Sequence, residues 1–266
     1  MGAGPAQLVA RGLLDRLRES GRDVELRELA PTEGSWIAEI GTAFDLDRQL
    51  ANAVAAARAR RAFPLTLAGN CISSVGIVAG LGEGTTGVLW FDAHGDFNTP
   101  ETTAGGFLDG MALATLVGRC WTSLAAGVPG FAPVAEENVV LVGARDLDPA
   151  EAELLAASGV VHLRTAEAAE RLDAELERLG QRVDRLYVHV DLDVLDESEG
   201  RVNGYSGGPG LSRAGLLDAI GVAGRRCRVA AGAITAYDPG YDADGRVART
   251  AIEVALALCS GATGAA

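Results

Sequence analysis

Two apolar runs in this chain each end in acidic side chains on an every-other-residue spacing, and no other feature limits the fold as much. The first is Leu89-Trp90-Phe91, followed by Asp92-Ala93-His94-Gly95-Asp96. The second covers residues 186–190 and is followed by Asp191-Leu192-Asp193, with Asp196 three residues further on. Side chains alternate across a strand, so each run directs its ligating residues to one side of its end. Carboxylates at the C-terminal ends of parallel strands lie where open α/β sheets take their ligands.

The rest of the chain supplies such a sheet. Residues 65–68, 88–91, 138–142, 160–163, 186–190 and 230–233 read as strands. Residues 45–62, 110–116, 149–157, 166–179, 212–222 and 247–258 carry helical spacing between them. This alternation predicts an α/β fold, a three-layer α/β/α sandwich around a mostly parallel sheet. With 48% hydrophobic but only 5% aromatic residues, the core must be built from Ala, Val, Leu and Ile, which suits helices packed on buried strands. No repeat or linker divides the 266 residues, so one domain over residues 1–266 is expected. Residues 5–19 read as a helix and 24–29 as a strand, leaving no counterpart for the sheet's usual opening strand. An upstream start, a deletion, or an edge completed by another subunit would each account for that.

A net charge of -13 with no basic patch in the sequence argues against binding to phosphates, so neither nucleic acid nor an anionic membrane is an expected partner. Apolar stretches fall short of the roughly 20 residues a membrane span needs, and the N-terminus has no signal-peptide core, so a cytoplasmic location is expected. Cys71, Cys120, Cys227 and Cys259 are scattered without a CxxC pair, which argues against a disulfide framework or a structural zinc site.

The clustered acids imply metal. Four carboxylates in one buried site would repel one another and take up protons, whereas two divalent ions would cancel their charge. Hard oxygen donors with an imidazole favour manganese, and two such ions can activate a shared water for attack on carbon. The bland reading, Asp residues capping turns, does not require D-x-H-x-D and D-x-D at the ends of two separate strands.

These motifs resemble the arginase family of ureohydrolases, which includes arginases, agmatinases and formiminoglutamases. Asp92-Ala93-His94-Gly95-Asp96-Phe97-Asn98-Thr99 resembles the family's first metal motif, and His189-Val190-Asp191-Leu192-Asp193-Val194-Leu195-Asp196 the second. Gly143-Ala144-Arg145-Asp146-Leu147-Asp148-Pro149-Ala150-Glu151 resembles the segment that meets the substrate's amino end. The resemblance implies hydrolysis of a linear, non-peptide C–N bond (guanidino, amidino or formimino) in an amino-acid-like small molecule, two manganese ions, and a homo-oligomer, usually a trimer or hexamer. It further implies that Asp92 and Asp191 bridge both ions, Asp96 binds one, and His94 and Asp193 bind the other. Asn98 and Thr103 match positions that hold an α-carboxylate, and Asp148 and Glu151 match those around an α-amino group. Asp148-Pro149 with Glu151 also reads as an ordinary helix start.

Three positions depart from the family pattern. Cys71, in Ala68-Gly69-Asn70-Cys71-Ile72, stands where the family has a histidine ligand in G-G-D-H-S. As a thiolate it would admit zinc, iron or cobalt; as a thiol it is a small buried residue. Family members that act on N-hydroxyarginine are similar here, so that activity is an alternative. Asp109 stands where arginases carry a proton-shuttling histidine; with Asp193 it is a candidate proton relay to the leaving amine, or else a turn former before Gly110. Ala236, in Ala236-Tyr237-Asp238-Pro239, replaces the glutamate of E-V-N-P that pairs with a guanidinium, so arginine itself should bind poorly unless Asp238 or Asp109 substitutes. A homologue that binds metal without turnover is the remaining alternative.

Overall fold

A computed structural model describes residues 1–32 and 38–261. Its strands are β1 (Leu65–Leu67), β2 (Thr86–Phe91), β3 (Val139–Val142), β4 (Val161–Leu163), β5 (Arg185–Asp191) and β6 (Val229–Thr235). They form one sheet in the order β1-β6-β5-β2-β3-β4, and every pairing is parallel. The helices are α1 (Gly4–Ala10), α2 (Leu13–Glu19), α3 (Glu39–Ala59), α4 (Ser74–Gly80), α5 (Ala112–Leu116), α6 (Thr122–Ala125), α7 (Pro149–Ala156), α8 (Thr165–Gly180), α9 (Arg213–Arg226) and α10 (Arg246–Gly261).

The alternation within β2 shows how the three layers arise. Leu89 and Phe91 pack on one face with Leu172 and Leu176 of α8, Leu216 of α9 and Val254 of α10. Val88 and Trp90 pack on the other with Val54 of α3, Val75 of α4 and Leu113 of α5. Strands covered on both sides carry apolar residues throughout, which is why the runs at β2 and β5 read as continuous. Burial of each large aliphatic side chain there contributes about 1.5–3 kcal/mol.

Two expectations for the N-terminal region need correction. The helix expected over residues 5–19 is two helices, broken at Gly12, whose φ of +91° ends α1 and starts α2 in a backbone region open to glycine. The expected strand at residues 24–29 is extended chain outside the sheet. Val24 packs against the core, but Leu26 is 45% exposed and charged residues flank both, so the segment has half a strand's apolar face and no ladder to join. Helix α4 was not read from the sequence. Among the described residues no helix is long and apolar enough to cross a membrane, and all four cysteines are free thiols.

Candidate metal centre

The strand order places the motifs side by side. Phe91 is in register with Val190 and Asp191 with Thr235, so Asp92 follows β2 beside the end of β5, and Thr235 and Ala236 close the end of β6. Cys71 follows β1, on the far side of β6. Residues distant in sequence thus meet at the C-terminal ends of four adjacent strands.

Two groups of potential ligands result, each with donor atoms within 4.8 Å of one another: Asp92, His94 and Asp193, and Cys71, Asp92 and His189. Asp92 belongs to both. Its Oδ1 accepts the His94 amide at 2.8 Å, and its Oδ2 accepts the Trp90 indole N–H at 3.0 Å. His94 Nδ1 lies 3.3 Å from Asp92 Oδ1 and 3.5 Å from Asp193 Oδ2. Asp191 touches the second group, its Oδ2 accepting the Cys71 thiol at 3.1 Å while its Oδ1 accepts the Asp193 amide at 2.8 Å. Asp96 is 5% exposed, sits at φ +48°, and its Oδ2 has no hydrogen-bond partner. Asp196, by contrast, caps its own short helix through Ser198 and takes no part.

The electrostatics are those of a site lacking positive charge. Burial first, then neighbouring carboxylates, push Asp96 and Asp191 well above the ordinary carboxylate range, and Asp92 is raised too. Burial and the same acids push the Cys71 thiol up. His94 is raised as well, here toward the charged form: burial would lower it, but the Asp92 hydrogen bond and the charges of Asp193 and Asp92 raise it to about 9. Buried acids, an orphaned Asp96 oxygen and convergent O, N and S donors fit divalent cations, which would replace the protons and satisfy Asp96.

Around this core the backbone is fixed tightly. Gly95 has no room for a side chain, since a Cβ there would lie 2.6 Å from Glu151 Oε1. Asn203 Nδ2 donates to Asp193 Oδ2 at 3.2 Å and to the Ala236 carbonyl at 3.1 Å, and the Arg145 guanidinium donates to the carbonyls of Asp193 and Leu195. Trp90, His189, Asn203, Arg145 and Thr235 were not singled out from the sequence. Of these, Trp90 and His189 left a usable signal, because each precedes a motif aspartate, Asp92 and Asp191, by two residues and so shares its face. Because the indole N–H orients Asp92, Trp90→Phe should weaken metal affinity about 10–100-fold, read by competition with a chromophoric chelator; unchanged affinity would remove that role.

The expected substrate residues divide. Asn98 donates to Asp148 Oδ2 at 3.1 Å and accepts from Thr102 at 2.9 Å, and Thr103 accepts the Gly106 amide at 3.0 Å. Glu151 is 3% exposed and accepts the amides of Phe97 and Asp148, which completes a capping box at the start of α7. Its contacts are those of the helix-start reading. Asp109 is buried, its Oδ1 accepts the Ile72 amide at 3.0 Å, and burial pushes it up to about 7. Ala236 sits at φ +62°, and Asp238 turns into its own loop to accept the Gly240 amide at 2.9 Å.

A three-layer parallel sheet carrying paired ligand groups at its carboxyl edge defines an α/β/α protein with a candidate metal centre, and the chain's similarities narrow that class. Residues 16–260 match the model of the Arginase family. The chain is 30% identical over 214 residues to the arginase of Bacillus caldovelox, covering 74% of this chain and 71% of that one. It is 32% identical over 211 residues to the arginase of Bacillus subtilis strain 168, covering 74% and 70%. A crystal structure of the Bacillus subtilis arginase superposes with a TM-score of 0.87 at 26% identity, covering 97% of this chain and 91% of that one. A formimidoylglutamase from the same organism has the same fold, with a TM-score of 0.70 at 19% identity, covering 94% and 80%. This chain belongs to the arginase family, and its fold is arginase-like.

Proposed function

We propose that the chain is a dinuclear metal-dependent hydrolase of a linear, non-peptide C–N bond in a guanidino, amidino or formimino group of an amino-acid-like small molecule. The observation that carries this reading is the sharing of Asp92 between two ligand groups. Asp92, Asp191 and Asp96 with Cys71 would hold one ion, and Asp92, Asp191, His94 and Asp193 the other. Two divalent ions at such a site lower the pKa of a water and polarise the carbon under attack. The protein's own residues position and move protons. Asn203 and Arg145 hold the Asp193 turn, and Asp109, poised near neutrality, can pass a proton to a leaving amine. The most exposed ligand side chain is His94, at 27%, so substrate would approach over it. Asn98, hydrogen-bonded to Asp148, and Thr103 would receive the amino-acid end.

Ala236 sets the expected substrate apart from arginine. Its methyl offers no carboxylate to a guanidinium and Asp238 is committed elsewhere, so arginine should lose a few kcal/mol of binding relative to a site with that ion pair. The test is a urea- and ammonia-release screen over guanidino, amidino and formimino compounds on metal-analysed protein, under manganese, zinc, iron and cobalt. Turnover of one class above arginine is expected. Full metal occupancy with no product from any compound would overturn the reading. Manganese in the centre, a homo-oligomer of trimer or hexamer order, and a cytoplasmic location belong to the same proposal, tested by metal analysis, light scattering and fractionation.

A further inference from the structure

Resting on the dinuclear reading above, we propose that His189 is a ligand of the metal position beside Cys71, making that position a Cys–His–carboxylate site for zinc while the position beside His94 takes a harder ion. Position 189 is not among the ligand positions that the family motifs assign to this chain, yet the geometry builds it as one. Its imidazole is fully buried, and its ligating nitrogen lies within 4.8 Å of both the Cys71 thiol and an Asp92 oxygen.

Three contacts fix the ring. It stacks on Trp90 with centroids 3.7 Å apart and planes 14° apart, and Trp90 is the residue that donates to Asp92. The Tyr187 hydroxyl lies 2.8 Å from Nδ1, which leaves Nε2 as the ligating atom, as an outer hydrogen bond does for metal-bound histidines generally. Nε2 is 3.2 Å from Thr235 Oγ1, which is itself 3.2 Å from the Cys71 sulfur, so nitrogen and sulfur converge on one point beside the threonine hydroxyl. Asp191 Oδ2, 3.1 Å from that sulfur, and the unpartnered, buried Asp96 Oδ2 add oxygen donors at the same edge.

Cys71 and His189 are complementary donors. Cysteine removes the imidazole that the family motif places after β1, and His189 returns one from β5, across β6, by reaching the same volume. A thiolate, an imidazole and carboxylates form the donor set that zinc takes tetrahedrally, whereas Asp92, His94 and Asp193 offer only oxygen and nitrogen, the set suited to manganese. On binding, the zinc ion replaces the Cys71 proton, which leaves to solvent.

The test loads metal-free protein with one equivalent of cobalt or zinc and needs no substrate. The wild-type cobalt protein should show a sulfur-to-cobalt charge-transfer band and a four-coordinate visible spectrum. Cys71→Ser should abolish the band, and His189→Gln should keep it while altering the visible spectrum and weakening zinc about 10–100-fold. X-ray absorption of the wild-type one-zinc protein should give one sulfur and one imidazole, a readout independent of how well the buried variant folds. Sulfur without imidazole, imidazole without sulfur, or a His189→Gln protein with unchanged zinc affinity and spectrum would overturn the assignment while leaving a dinuclear hydrolase intact. Protein that binds no metal would overturn both.

Discussion

Asp92→Asn is expected to abolish activity and empty both metal positions, because Asp92 is the donor that the two ligand groups share. An amide keeps the shape and one oxygen but loses the charge that binds two cations, and Asp92 Oδ1 and Oδ2 are already oriented by His94 and Trp90. Losing metal-derived stabilisation of about 4 kcal/mol corresponds to a fall of roughly a thousandfold in kcat. Asp193→Asn should act on one position only, leaving about half the metal. The stability of the metal-free forms separates this from unfolding. Asp92 is the main group that raises His94, so the metal-free Asp92→Asn protein should fold but lose most of the pH dependence that His94 gives the metal-free wild type, while gaining nothing from added metal. Metal content by elemental analysis with paired melting curves checks both halves. Retention of two equivalents would end the bridging role.

The layers and the cluster of acids at the sheet's carboxyl edge were legible in the sequence for the same reason. Strand alternation is local, so the ends of β2 and β5 announced Asp92, His94, Asp96, Asp191 and Asp193 without any knowledge of their neighbours. What depends on sheet order was not legible. Residues 24–29 alternate as a strand should, but alternation cannot tell whether a ladder is available, and none is. His189 was visible on the Asp191 face, yet only the order β1-β6-β5-β2 brings it to Cys71, 118 positions away in sequence (189 − 71). Asn203 and Arg145 come from loops whose paths no periodicity encodes. The two readings of Glu151 separated only when its acceptor contacts to Phe97 and Asp148 were seen, because a helix start and an ammonium site ask for the same residue types.

Stripping the metal should make stability fall steadily as pH rises, the reverse of what acid-sensitive ion pairs give. His94 goes from 6.5 when unfolded to about 9 when folded, so its contribution is fully present below 6.5 and is lost as pH rises through about 9. That interval corresponds to about 3 kcal/mol. Asp109, raised from 3.8 to about 7, acts with the same sign over a lower window, since its folded form holds a proton its unfolded form has released. Asp96 and Asp191 push in the same direction. For a chain of this size, His94 alone is then worth on the order of 10 °C in melting temperature between about pH 6 and about pH 9. Bound metal replaces those protons, so its stabilising effect should grow with pH and the loaded protein should show a flatter profile. Melting curves with and without chelator across that range decide the matter. A stripped protein whose melting temperature holds or rises with pH would mean that the acids at the ends of β2 and β5 do not share one buried field, and the charge argument for two cations would fall with it.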